Sequence, residues 1–297
     1  MHVSASYPSQ GQGHQTTLMQ IVASELGVDP EKIIVHAGRT DKFGWGVGTF
    51  ASRAAVIGGT AAFLACRKVR KRALDLASDK LEASPADLDI TSGRVHVKGA
   101  KDMFVELKTL ADLANPIITL KPGVEPGLRA VEYHRPEGGT FASGAHGMII
   151  DVDIATGQIR VDRYVVVHDC GVMINPTLVE GQVAGGVAQG IGGAFYEKLE
   201  FSPEGQLLTT TFADYLLPTS LEIPPIEIHH LDHPSSLNPG GFKGVGEGGV
   251  TPGMAVFANA VEDALEPFGV RIRAIPLNPP KVLELIQSLQ AADSRRL

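Results

Sequence analysis

Gly240-Gly241-Phe242-Lys243-Gly244-Val245-Gly246-Glu247-Gly248-Gly249 is a run of small residues with a single carboxylate near its end. It leads into Thr251-Pro252 and an apolar stripe of Met254, Phe257, Ala258, Val261 and Leu265, spaced by three and four. That spacing predicts a helix, with Thr251 as its N-cap and Pro252 at its first position. Glu247 then stands just before a helix, on backbone that a bound molecule can approach closely because most of its neighbours lack Cβ. From these residues alone the carboxylate is either a general base or an acceptor for loop amides.

Towards the N-terminus, Gly181-Gln182-Val183-Ala184-Gly185-Gly186-Val187-Ala188-Gln189-Gly190-Ile191-Gly192-Gly193 reads as a helix. Each glycine in it costs roughly 1 kcal/mol against alanine. A chain tolerates that where a backbone or a ligand packs very close. Before it, Met148–Asp153 and Gln158–Val167 form a hairpin around Ala155-Thr156-Gly157, leading into His168-Asp169-Cys170-Gly171 and Ile174-Asn175-Pro176. Successive residues on an extended chain point to opposite faces, which argues against a His168–Cys170 nucleophile pair. His229, His230 and His233 have no glutamate at ligand spacing and no cysteine support, so they read as solvated loop histidines.

The first half repeats the theme of glycine before helix. Val3–Ser6 reads as a strand, Gly11-Gln12-Gly13-His14-Gln15-Thr16 as a loop, and Leu18, Ile21, Val22 and Leu26 as one face of a helix that Gly27 stops. A strand at Ile33–His36 completes the unit. Its loop is either an ordinary turn or an anion site at a helix N-terminus. A second cluster, Gly44-Trp45-Gly46-Val47-Gly48-Thr49-Phe50-Ala51-Ser52-Arg53, precedes a helix with Ala62, Cys66, Val69, Ala73 and Leu76 on its stripe. Arg67, Lys68, Arg70, Lys71 and Arg72 read as its solvated face, and Cys66 as a small core residue. Leu88–Thr91 and Arg94–Val97 flank the hairpin turn Ser92-Gly93. Pro116, Pro122, Pro126 and Pro136 mark a boundary, giving expected subdomains 1–134 and 135–297.

The totals narrow the class. A chain of 297 residues buries a sizeable core, and a net charge of −7 argues against nucleic acid as the main partner. Cys66 and Cys170 are the only cysteines, too few for an iron–sulfur cluster or a disulfide framework. No signal peptide or membrane-length apolar run is evident, so a cytoplasmic location is expected.

Gly244-x-Gly246-x-x-Gly249 formally fits the dinucleotide fingerprint. Glu247 would place a negative charge among amides meant for pyrophosphate, and Pro234-Ser235-Ser236-Leu237-Asn238-Pro239 before it is not a strand. Too little chain follows to complete such a site.

Taken together and in order, Gly11–Thr16, Gly48–Arg53, Val167–Pro176 with Gly181-Gln182 and Gln189-Gly190, and Lys243–Glu247 resemble one family over nearly the whole chain. It is the molybdopterin-binding subunit of the xanthine dehydrogenase and aldehyde oxidase type, the molybdenum hydroxylases. The resemblance implies an α+β fold of two α/β subdomains. It implies that Gln12, Gly13, His14, Thr49, Phe50, Ala51, Ser52, Arg53, Gln189 and Gly246 meet a molybdenum–molybdopterin cofactor, expected in its cytosine dinucleotide form. Asp169 and Asn175 match positions near the cofactor's tail. Glu247 matches the family's catalytic glutamate, the base in oxidative hydroxylation of an N-heterocycle or aldehyde-type carbon with oxygen from water. An apolar, glycine-lined pocket suits such a base, because desolvation makes a carboxylate more basic.

The resemblance implies no protein ligand to the metal. Subunits of this family are generally more than twice this length, so the chain resembles their C-terminal half. Met1 and the complete strand–loop–helix unit favour a naturally split subunit. The expected partners are another molybdopterin-binding polypeptide, an iron–sulfur subunit with 2Fe–2S clusters and a flavin subunit with FAD. A non-catalytic cofactor carrier or insertion protein is the alternative, and it would have no need of Glu247.

Overall fold

The computed structural model of the chain describes residues 1–44, 46–115, 117 and 126–293. Trp45 of the second glycine cluster and Pro116 and Pro122 of the expected boundary lie outside the described residues. The chain forms two compact units. The first is Met1–Thr140 with Val172–Asn175 and Pro234–Lys243, and the second is Phe141–Gly171, Pro176–His233 and Gly244–Leu297. This differs from the expected cut at 134/135, because two segments from the second half fold into unit 1. The Val172 N–H donates to the Gly241 carbonyl at 3.1 Å. Asn238 brackets Phe242, its Nδ2 donating to the Phe242 carbonyl at 2.8 Å and its Oδ1 accepting from the Phe242 N–H at 2.9 Å. Phe242 is buried with Ile21, Val56 and Phe63.

Unit 1 begins with strand β1 (His2–Ala5), helix α1 (His14–Leu26) and strand β2 (Ile34–Ala37), the two strands pairing in parallel. The stripe Leu18, Ile21, Val22 and Leu26 is buried as its period requires. Gly27 ends the helix at φ +56, where a Cβ would also strike the Ile90 carbonyl carbon at 3.0 Å. Helix α2 (Thr60–Leu81) follows a wide turn at Ala55–Gly59. At about 1.5 Å per residue it is long enough to serve three clusters. Its first part buries Phe63 and Cys66, and its last part lays Ala73 and Ala77 on an antiparallel sheet.

That sheet is β3 (Leu88–Thr91), β4 (Arg94–Val97) and β5 (Ala100–Glu106), followed by α3 (Leu107–Leu113). The Ser92-Gly93 turn has φ +50 and +77, the two positive angles that a tight hairpin needs. The basic face of α2 is ion-paired as well as solvated, Arg67 with Glu25, Lys68 with Glu132, Arg70 with Asp89 and Lys71 with Asp75, but Arg72, expected on that face, has its Nε and Nη2 buried. Burial, with Glu25 a lesser cause, pushes the Cys66 thiol up to about 12, which keeps it inert.

Unit 2 is built on a mixed sheet of β6 (Ser143–Val152), β7 (Ile159–Asp169) and β8 (Ile226–His230), with β7 central, antiparallel to β6 and parallel to β8. Helices α4 (Pro176–Ile191), α5 (Gly253–Ala264) and α6 (Pro279–Asp293) complete it. Tyr164 and Val166 of β7 share one core with Val183, Val187 and Ile191 of α4, Phe257 and Val261 of α5, and Val282 and Ile286 of α6. Among the described residues no helix is long and apolar enough to cross a membrane.

Candidate functional site

In unit 1 the two glycine loops interlock. Thr49 Oγ1 donates to the Pro8 carbonyl at 2.9 Å, and Gly46 lies so close to Ser6 that a Cβ would come within 3.3 Å of its carbonyl carbon. Tyr7 fills the space beside Gly58, which has no room for a Cβ. The His14 ring is buried, edge-on to Tyr7 at 5.0 Å, with Nδ1 3.2 Å from the Pro8 carbonyl. Burial holds its pKa below the ordinary histidine value, against the opposing hydrogen bond to Pro8. His14 therefore spends its ring on holding the loop that presents Gln12.

That loop ends at Gly13, in the left-handed region at φ 79, and no side chain caps the helix it opens. The first-turn amides of α1 thus keep the donor capacity that an anion can use. Gln12 accepts from the Gln10 N–H through Oε1. Its Nε2 makes a 3.3 Å contact with Gln10 Oε1 and retains a second hydrogen to donate. Across the Thr49 link, Ala51 and Ser52 are both left-handed at φ 52 and 49. Such backbone costs of order 1–2 kcal/mol per non-glycine residue, and it concentrates where a loop must hold a functional shape. Phe50 is exposed, and the Arg53 guanidinium lies 4.0 Å above its ring. A cation, an uncapped helix end and an amide therefore share one pair of loops. Asn175, also in unit 1, donates through Nδ2 to Gln20 Oε1 at 3.0 Å.

In unit 2 the Glu247 turn is held from below by backbone contact. Gly249 rests on α4, where a Cβ at Gly186 would lie 2.7 Å from the Gly249 Cα, and Gly190 meets Gly253 in the same way at 3.1 Å. These two glycines of α4 are there for close backbone approach; Gly181 and Gly185 face open space. The Gly248 N–H donates to the Val245 carbonyl at 3.0 Å. Thr251 does not cap α5. Its N–H and hydroxyl both turn back to the Glu247 carbonyl, at 3.1 and 2.9 Å, and α5 starts at Gly253 after Pro252 with no side-chain cap. Thr251 is thus a residue that the sequence placed correctly and assigned the wrong partner.

Gly246, Glu247 and, on α4, Gln189 are exposed. The glycines beside Glu247 offer no side chains to cover its carboxylate. Asp169 is buried, its Oδ1 accepting from the Gly171 N–H at 2.8 Å and its Oδ2 lying 3.2 Å from His233 Nδ1. Cys170 is buried too. The reading of three solvated histidines needs correction. His230 ends β8 with its ring nitrogens buried, beside His168 at 6.4 Å between centroids, because β8 pairs with β7 in the register that opposes them. Among the described residues no group of three or more His, Cys, Asp or Glu side chains could hold a metal ion.

Residues 1–224 match the model of the molybdopterin cofactor-binding domain. The chain belongs to that family. The molybdopterin cofactor-binding domain match covers three of the four stretches that carry the resemblance, Lys243–Glu247 lying beyond it. The chain is 40% identical over 294 residues to the nicotine 6-hydroxylase large subunit of Paenarthrobacter nicotinovorans, covering 97% of this chain and 35% of that subunit. Quinoline 2-oxidoreductase from Pseudomonas putida 86 superposes with a TM-score of 0.88 at 41% identity, over 96% of this chain and 36% of that one. CO dehydrogenase from Oligotropha carboxidovorans gives 0.89 at 35% identity, over 98% and 36%. The chain therefore spans about a third of the length of these relatives, and its α+β fold is theirs over that third. The molybdopterin cofactor-binding domain assignment fits the donor set of unit 1, where uncapped amides, Gln12 and Arg53 suit a phosphate-bearing cofactor.

Proposed function

We propose that this chain is the part of a molybdenum hydroxylase large subunit that carries the catalytic carboxylate, Glu247, and part of the cradle for a molybdenum–molybdopterin cytosine dinucleotide. The reaction is oxidative hydroxylation, in which R–H and water give R–OH, two protons and two electrons. R–H is an electron-poor carbon of an N-heterocycle or an aldehyde. The cofactor, when bound, supplies the two-electron acceptor; 2Fe–2S clusters and FAD on partner chains carry the electrons away.

The chain's own residues have three tasks. The first-turn amides of α1 and Arg53 hold negative charge on the cofactor, and Phe50 offers it an apolar face. Gln12 and Gln189 donate amide hydrogen bonds to its polar edges. Glu247 takes the proton of the water-derived oxygen as that oxygen attacks carbon, then releases it to solvent. The observation that supports this most is the Glu247 turn itself. Its backbone is fixed by Gly248, Gly249 and Thr251 while the residue itself is exposed. General-base catalysis needs that combination of fixed backbone and presented side chain. Covering the carboxylate falls to residues beyond this chain, supplied by the other molybdopterin-binding polypeptide. The expected cytoplasmic location belongs to this proposal, with Cys66 and Cys170, neither of them in a disulfide, as its support.

The exposure of Glu247 also favours a second reading, a cofactor carrier or insertion protein. One experiment separates the two. The native assembly is purified, its chains are identified, and turnover of N-heterocycles and aldehydes is run in heavy-oxygen water. The hydroxylase reading expects iron–sulfur and flavin chains, molybdenum, and labelled oxygen in the product. A molybdenum-loaded chain without electron-transfer partners and without turnover would establish the carrier.

A further inference from the structure

His168 lies under the catalytic turn and has no task in the chemistry proposed above. Its side chain is 1% exposed, and neither ring nitrogen has a hydrogen-bond partner in the protein. Gly248 sits directly on the ring; a Cβ there would fall 2.7 Å from Cδ2 and closer still to Nε2. On the next strand His230 stands opposite in register, edge-on, also with both ring nitrogens buried and unpartnered. Along β7, Tyr164 occupies the same face two pairs back, its hydroxyl 2.7 Å from Nδ1 of His146 on β6. A bare buried nitrogen is destabilising, and a buried charge without a partner is far more so.

The groups that reach His168 are therefore His230 on β8, His146 on β6 and Asp169 on its own strand; the turn packed above it presents Gly248 backbone. Burial, then His230, holds the His168 pKa below its ordinary value, with His146 acting in the same direction and only Asp169 opposing. A protonated imidazole at this place needs water. Gly248 is packed directly on the ring, so hydrating a charged imidazole bears directly on the turn.

We infer that His168, backed by His230, is a positioning residue for the Glu247 turn, and that it serves only as the neutral imidazole, so that acid releases the turn. The sign follows from linkage. The state with the turn lifted binds the proton more tightly than the seated state, so lifting becomes easier as pH falls below the ordinary histidine value of 6.5. The effect levels off below the seated-state pKa. Where one proton is taken up, the lifting equilibrium changes about tenfold per pH unit. The consequence for catalysis rests on Glu247 being the base; the motion of the turn does not.

The test is amide hydrogen exchange of the full chain in the assembly in which it purifies, from about pH 7.5 to about pH 5.5, corrected for intrinsic exchange. In the wild type, protection across Val245–Thr251 falls with a slope near tenfold per pH unit below 6.5, while Ile159–Val167 stays protected. In His168→Asn the slope disappears. Equal slopes in both proteins, or a fall shared by the strand, would overturn the inference. If His168→Asn does not fold, Gly248→Ala takes its place. Crowding the ring should lift the turn already at neutral pH, and unchanged protection there would equally overturn it. This readout is independent of turnover, so failure of the base assignment and failure of the positioning role are told apart.

Discussion

At the scale of single residues, the side chains nearest the proposed chemistry are those whose hydrogen-bonding capacity the fold leaves partly unused. Gln12 spends its oxygen on the Gln10 amide and keeps a donor, and Gln189 points outward from α4. Gln12→Ala and Gln189→Ala should each lower the molybdenum content of the purified assembly while leaving the thermal midpoint nearly unchanged. Each removes a cofactor partner worth about 1–3 kcal/mol and breaks little within the chain. Metal analysis beside a melting curve checks this; wild-type molybdenum in both would remove them from the cradle. His14 shows what single-residue reading misses. It sits in a matching stretch, and its ring also packs edge-on to Tyr7 with Nδ1 beside the Pro8 carbonyl. The signal was Tyr7-Pro8 a few residues upstream, an aromatic and a rigid turn with a buried ring to support.

At the scale of elements, periodicity was legible and partnership was not. The stripes of α1 and α2 face their cores as their spacing requires, and that of α5 does so from Phe257 onward, Met254 being exposed. The glycines of α4 were legible as a sign of close approach, but not what approaches. Gly186 and Gly190 receive the backbone of Gly249 and Gly253, whereas Gly181 and Gly185 meet nothing within 4 Å. The same substitution should therefore have opposite effects on the two faces. Gly186→Ala should destabilise by about 1–3 kcal/mol through overpacking, and Gly185→Ala should stabilise by roughly 0.5–1 kcal/mol through helix propensity. Urea unfolding of the two variants reads the difference, and equal effects would mean that the Gly186 contact is not tight. Thr251 was misassigned for a related reason. A threonine before proline is a fair helix cap by composition, and only the folded turn shows its hydroxyl returning to the Glu247 carbonyl.

At the scale of the whole molecule, the composition and the order of four glycine stretches were enough to expect the family. The division into units was not readable, because it depends on contacts between residues far apart in sequence. Val172 joins unit 1 through Gly241, and Phe242 through Ile21 and Phe63. The exposure of Glu247 has a similar origin, since a carboxylate on a glycine turn can be covered only by side chains from elsewhere. The chain spans about a third of its relatives' length. What it contributes on this account is a carboxylate at a fixed place.

Glu247→Gln in the assembled enzyme tests that claim most directly. Glutamine keeps nearly the same volume and leaves the Glu247 carbonyl free to accept from Thr251, so folding and cofactor content should survive. What is lost is the ability to take a proton as oxygen attacks carbon, a loss of roughly 10²–10⁴-fold in rate. The loop's other ionisable side chain is Lys243, so it holds no second carboxylate to substitute. The measurement is paired: molybdenum per assembly, and the rate of metal reduction by substrate in a single turnover. The account predicts full molybdenum with reduction slowed at least about a hundredfold. Full molybdenum with near-normal reduction would contradict it and leave Glu247 as scaffolding of the turn.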